Sequence, residues 1–232
     1  RSNLKVKGEN MNSSIFEMLG PIMVGPSSSH TAGAVRLGLM ARKILGTEIE
    51  QARILLHGSF AETGKGHGTH LALIAGLLGM LPDDERIRFA DKIASQEGMQ
   101  VEFENAYLGE VHPNSVEFFL IGKNTDQTRV RGCSIGGGRI LIKEINGFPV
   151  ECTGEYPTLV LQYADSPGMI AEITRILASD DINIAQMRVS REGRGRRALA
   201  IIETDESLKD QQVKRIRSLA KMERVMFIEA LN

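Results

Sequence analysis

Cysteine is scarce in this chain: Cys133 and Cys152 are the only two in 232 residues. That excludes a disulfide scaffold and fits a cytoplasmic setting. It also falls short of an iron–sulfur site, which takes three or four thiolates. Net charge is nearly absent, at −1 from 28 basic and 29 acidic residues. A nucleic-acid footprint needs a clustered basic face. Only the short, Gly-broken stretch Arg191-Glu192-Gly193-Arg194-Gly195-Arg196-Arg197 comes near one, and it reads as a solvated hairpin loop. No apolar run approaches the roughly 20 residues that span a bilayer, and no secretory signal is visible. Residues 1–10 lack an apolar pattern and read as a remnant foreign to the native chain, with Met11 as the native start. These absences argue for a globular protein with no nucleic-acid or membrane partner.

Against that background one tract stands out: Gly25-Pro26-Ser27-Ser28-Ser29-His30-Thr31. After it, Leu37, Met40, Ala41, Ile44 and Leu45 recur at helical spacing, and Gly46 is a natural stop. The spacing predicts a helix over 31–45, which puts His30 and Thr31 at its start. Free N–H groups and the helix dipole there favour an anion. Capping alone explains a single serine before a helix. Three serines, a histidine and a threonine together argue for a carboxylate cradle beside a proton-transfer group. A serine-hydrolase arrangement is disfavoured, because no acidic orienter is evident.

The rest of the pattern is α/β. A short amphipathic segment is expected over 14–19. A β-like run over 52–57 feeds the glycine-rich segment Gly58-Ser59-Phe60-Ala61-Glu62-Thr63-Gly64-Lys65-Gly66-His67-Gly68-Thr69-His70. A buried helix is expected over 71–81, and a second helix from Pro82 to a stop at Gly98. Strands follow over 101–104, 115–121, 128–135, 139–145 and 148–153. The last two are joined by Asn146-Gly147, the signature of a type I′ hairpin. After a linker near residue 155 the rhythm becomes βαββαβ, a ferredoxin-like split unit over 158–232. Two domains are therefore expected, 11–154 and 155–232.

The other polar constellations are weaker. The segment 58–70 faces substrate or is a plain flexible turn. His67 and His70 could share a helix face for metal, but no third ligand is fixed. Gly64-Lys65 lacks the Ser or Thr of a P-loop. Ser134-Ile135-Gly136-Gly137-Gly138-Arg139 is either an anion-binding nest or a bulged strand connection. In His112-Pro113-Asn114 the proline holds the histidine backbone extended, and Asn114 can hold a polar group.

The tract, the 58–70 segment, His112-Pro113-Asn114 and Ser134-Ile135-Gly136-Gly137-Gly138, in that order, resemble the β subunit of the iron–sulfur-dependent L-serine dehydratases. The resemblance covers essentially all of 11–232. It implies conversion of L-serine to pyruvate and ammonia by α,β-elimination at a [4Fe–4S] cluster. The family's cluster cysteines belong to its α part. The resemblance therefore implies a separate cysteine-bearing α subunit as partner, no metal ligand on this chain, and no turnover by this chain alone. It further implies that Ser27, Ser28, Ser29 and Thr31 bind the substrate carboxylate. His30 would be a base or an orienting donor, and His67, Asn114, Gly136, Gly137 and Gly138 would be substrate-binding wall elements. An isolated chain should leave these residues at an exposed, incomplete surface.

The N-terminal unit is similar to the allosteric substrate-binding domain of some phosphoglycerate dehydrogenases. The C-terminal unit resembles an ACT domain, which implies homodimerisation and an amino-acid effector at Asp165, Gly168 and Asn183. Tyr163 stands where the serine-sensing type carries histidine. A stand-alone amino-acid sensor without catalysis is the alternative function.

Overall fold

A computed structural model describes Met23, Gly25 and residues 27–64 and 66–231. The segment expected over 14–19, the Met11 start, Pro26 of the tract and Lys65 of the glycine-rich segment lie outside the described residues. The chain forms two sheets, one of six strands and one of four.

The larger sheet has the order β2-β1-β3-β4-β5-β6. Its strands are β1 (Ile49–Leu56), β2 (Gln100–Asn105), β3 (Ser115–Gly122), β4 (Gln127–Gly136), β5 (Arg139–Ile145) and β6 (Phe148–Cys152). Only β1 and β2 run parallel; the other neighbours are antiparallel. Period-2 alternation gives the sheet two unlike faces. Ala52, Ile54, Leu56, Val116, Phe118 and Leu120 join one buried core. The intervening Arg53, Glu117 and Arg129 carry the polar face. There Arg129 donates from Nε and Nη2 to the buried Glu117 at 2.9 and 2.7 Å.

Two helices cover the apolar face, α1 (Gly33–Leu45) and α3 (Thr69–Leu77). They meet backbone to backbone. A Cβ on Gly38 would lie 2.4 Å from the Leu73 carbonyl oxygen, and one on Gly76 would lie 2.1 Å from that of Val35. Only glycine permits this approach. Helix α3 begins two residues before the expected position and ends at Leu77 instead of Leu81. The helix expected from Pro82 is a 3₁₀ turn, Glu85–Phe89, capped by Asp84, followed by the short α4 (Ala90–Gln96). The Asp84 carboxylate accepts from Arg86 N at 2.9 Å, which starts the turn three residues late, at Glu85. The Asn146-Gly147 turn has φ of 51° and 83°, as a type I′ hairpin requires.

The C-terminal unit runs β7 (Thr158–Ala164), α5 (Met169–Ser179), β8 (Ile184–Arg191), β9 (Arg197–Thr204), α6 (Asp210–Arg217) and β10 (Met222–Ile228). Its sheet order is β10-β7-β9-β8, so the βαββαβ expectation gives a ferredoxin-like sheet. The central strands β7 and β9 are buried on both faces of this sheet, whereas the edge strand β8 is largely exposed. Leu159, Leu161, Ala200 and Ile202 pack with α5 and α6, whereas Val160, Leu199, Ile201 and Ile228 join the core of the first unit beside Met40. Arg224 of β10 donates to the Leu45 carbonyl at the end of α1 and, at 3.2 Å, to Thr128.

The glycine contact yields a measurable expectation. Forcing a methyl into it is overpacking, which costs about 2 kcal/mol. Gly76→Ala should therefore lower Tm by roughly 4–8 °C for a chain of this size. An unchanged Tm in a thermal melt would mean that α1 and α3 do not touch at this point.

Candidate active site

The expected helix start is earlier and more irregular than its apolar spacing indicates. Ser27 is extended, with φ −143° and ψ 124°, and its Oγ accepts from His30 N at 3.2 Å. A π-helical turn, Ser28–Ala32, then leads into α1. Such turns recur at functional sites. The cap sits at Ser27 because its hydroxyl and carbonyl both find N–H groups one turn on; Thr31 N donates to Ser27 O at 2.8 Å.

The π turn hands His30 to α2 (Ser59–Thr63), a short helix after β1. His30 Nε2 lies 3.2 Å from Ser59 Oγ and 3.1 Å from Thr63 Oγ1. Thr63 donates its own proton to the Ser59 carbonyl at 2.8 Å. That leaves Thr63 Oγ1 to accept from Nε2–H, so the pattern places the His30 proton on Nε2. Nδ1 faces Ser27 Oγ at 3.5 Å. The buried Phe60 ring meets the imidazole edge-on, with centroids 5.3 Å apart.

His67 approaches from the other side, its ring centroid 5.0 Å from that of His30. Its Nδ1 is 3.1 Å from the Thr63 carbonyl and donates to it, which leaves the Nε2 lone pair free to accept. Burial lowers the His30 pKa, and the neighbouring charge of His67 lowers it further; a backbone hydrogen bond to Ser59 opposes both.

Ser27, Ser28, Ser29 and His30 are half-buried and Thr31 is buried, so the tract is less exposed than expected of an isolated chain. The reason is the second wall. Ser134 of β4 lies against Gly33, where an added Cβ would sit 2.1 Å from Ser134 Oγ. The Oγ atoms of Thr31, Thr69 and Ser134 are buried with no hydrogen-bond partner among the described residues. Orphaned hydroxyls are rare in folded proteins, and they accumulate where a ligand or water belongs.

Asn114 and Gly136, Gly137 and Gly138 lie at the same end of the sheet. The Asn114 carbonyl accepts from Ser134 N at 3.0 Å. The three glycines form the β4–β5 turn with φ of 97°, 61° and 76°. This is a hairpin with a bulge between Ser134 and Gly136, the strand-connection alternative; a nest would alternate handedness.

His70 packs its ring edge-on against Phe103, with centroids 4.4 Å apart. Among the described residues no three His, Cys, Asp or Glu gather as a metal site. The two thiols do not fit a [4Fe–4S] cluster. Cys152 is buried beside Thr158, its pKa pushed up to about 12 by burial and then by Glu203. Burial also raises that of Cys133, whose neighbour Ser134 takes the side of the strand facing α1. The larger cavities, of about 420 and 530 Å3, are lined by residues of the six-stranded sheet and its loops and do not include His30.

In the C-terminal unit, Asp165 Oδ2 accepts from Gly195 N at 3.2 Å and Arg191 Nη1 at 3.4 Å. Asn183 donates to Asp205 at 2.6 Å, and Gly168 caps α5 with φ of 92°. Asp165 is thus bonded to the arginine-rich hairpin, and Asn183 to Asp205. Tyr163 is buried in the core beneath α5 and α6.

Sequence reasoning missed Ser59 and Thr63 as partners of His30. Their spacing of four on one helix face, inside a glycine-bracketed segment, was the available signal.

Residues 14–97 match the serine dehydratase beta chain family, and 158–221 match the ACT domain. A probable L-serine dehydratase beta chain from Bacillus subtilis (strain 168) is 43% identical over 197 residues, covering 85% of this chain and 89% of that protein. This chain belongs to the L-serine dehydratase beta chain family. A second beta chain, from Peptoniphilus asaccharolyticus, is 38% identical and covered over 98% of its length. The D-3-phosphoglycerate dehydrogenase of Bacillus subtilis (strain 168) is 26% identical over 212 residues, but only 37% of that protein is covered. This chain is thus similar to part of a dehydrogenase.

The His30–His67 contact can be tested by titration. Replacing His67 with glutamine should move the His30 pKa up toward its ordinary value of 6.5 in an NMR titration. Because folding lowers this pKa, neutral His30 stabilises the fold above the unfolded value, and that contribution is lost as pH falls through the lowered one. An unmoved or lowered His30 pKa would mean that His67 exerts no charge on it.

Proposed function

We propose that this chain is the substrate-gripping half of a two-chain L-serine ammonia-lyase, paired with an α subunit that carries the [4Fe–4S] cluster. The supporting observation is the His30 arrangement: an imidazole held at both nitrogens, at a helix start, beside buried hydroxyls that lack partners. The beta chain names of the two relatives support a partner chain. The chemistry of Cys133 and Cys152 supports placing the cluster ligands on that partner.

In this reading the π turn ahead of α1, with the side chains of Ser27, Ser28, Ser29 and Thr31, holds the serine carboxylate. The substrate loses its Cα proton and its Cβ hydroxyl, and the resulting aminoacrylate takes up water to give pyruvate and ammonia. The His30–His67 pair handles the Cα proton. His67 presents a free Nε2 lone pair; His30 is neutral near pH 7 and its two hydrogen bonds suit it to orient substrate and partner imidazole. Asn114 and the 136–138 turn form the far wall.

Division into domains near residue 155 is part of this reading, supported by the change of sheet between β6 and β7 and by the ACT match. So are a cytoplasmic setting, homodimerisation, and amino-acid regulation through the ACT domain. No described helix is long and apolar enough to cross a membrane.

The purified chain should form no pyruvate from L-serine, whereas co-assembly with the α subunit under anaerobic conditions should restore activity. His30→Ala should abolish that turnover while leaving subunit association intact. A cluster-loaded complex that stays inactive would overturn the enzyme reading and favour the amino-acid sensor.

A further inference from the structure

We propose that Arg36 is a positioning residue, which holds the turn of Gly136, Gly137 and Gly138 against the start of α1; this rests on the reading of the site given above. Arg36 lies one turn into α1 and donates from Nη1 to the Gly138 carbonyl at 3.1 Å. Among the described residues this is the one side-chain hydrogen bond to the turn.

The turn needs such a tether. Cβ atoms on Gly136 and Gly137 would meet nothing within 4 Å, so packing does not hold it. The bulge between Ser134 and Gly136 also interrupts the ladder that leads into it. A half-buried guanidinium is costly to desolvate unless its hydrogens find fixed acceptors. Here that acceptor is a backbone carbonyl of the site. Burial lowers the Arg36 pKa, and the charge of Glu155 partly offsets this. Glu155 lies between β6 and β7, so a single side chain senses both the site turn and the approach to the C-terminal unit. Fixing Gly138 also fixes the end of β4, where Ser134 presents its unpartnered hydroxyl beside Gly33.

Hydrogen exchange on the full chain tests this without reference to turnover. In Arg36→Met the amides of 135–140 should exchange about ten-fold faster, with Arg36→Lys intermediate and the rest of α1 unchanged. If the methionine variant does not fold, Arg36→Gln serves the same comparison. Unchanged exchange at 135–140 in the neutral variant would overturn the proposal. In the assembled enzyme, Arg36→Met should raise KM for L-serine about ten-fold and change kcat by less than about two-fold, with lysine restoring part of the loss. Lowered kcat at constant KM would also overturn it. A wild-type complex that makes no pyruvate would instead defeat the serine reading, and the exchange data would still decide the role of Arg36.

Discussion

Everything at the site depends on how closely α1 and α3 approach. With backbone against backbone at Gly38 and Gly76, the two helix starts emerge side by side over the same end of the sheet. One start delivers His30, and the segment leading into the other delivers His67. Side chains at the crossing would move the helices apart, and the 5.0 Å separation of the two rings could not survive that. The small α2 then fills the gap between them, which is why Ser59 and Thr63 can reach a histidine some thirty positions away.

The same end of the sheet gathers the remaining wall. β1 and β4 finish there and β3 and β5 begin there, because the order β1-β3-β4-β5 is antiparallel throughout. Loops from four strands therefore meet two helix starts. The polarity of the site comes from this convergence: orphaned hydroxyls, and two imidazoles of which at least one stays neutral near pH 7.

Fold class was legible because it rests on local periodicity. The βαββαβ rhythm and the Asn146-Gly147 turn are written in neighbouring residues, and so is most of α1. The details that escaped are those set by distant contacts. The parallel pairing of β1 with β2 joins strands more than forty residues apart. The 3₁₀ turn after Pro82 follows from a side-chain cap at Asp84, which apolar spacing does not record. At the site, the residue types of 27–31 were readable, but the hydrogen-bond contacts of His30 with Ser59 and Thr63 depend on the fold bringing α2 under α1. Arg36 was invisible for a related reason: one arginine on a helix carries no local mark of being half-buried against a carbonyl 102 positions away.

The shared core between the two sheets has a consequence for how this protein could be divided. Val160, Leu199, Ile201 and Ile228 turn their side chains toward Met40 and the first unit, not toward their own helices. Cutting the chain between β6 and β7 would bare two matching oily surfaces, one on each fragment. Neither half would be at ease in water alone, and each would seek the other or a neighbour. The C-terminal unit is thus less an attached accessory than the lid of the box that contains α1.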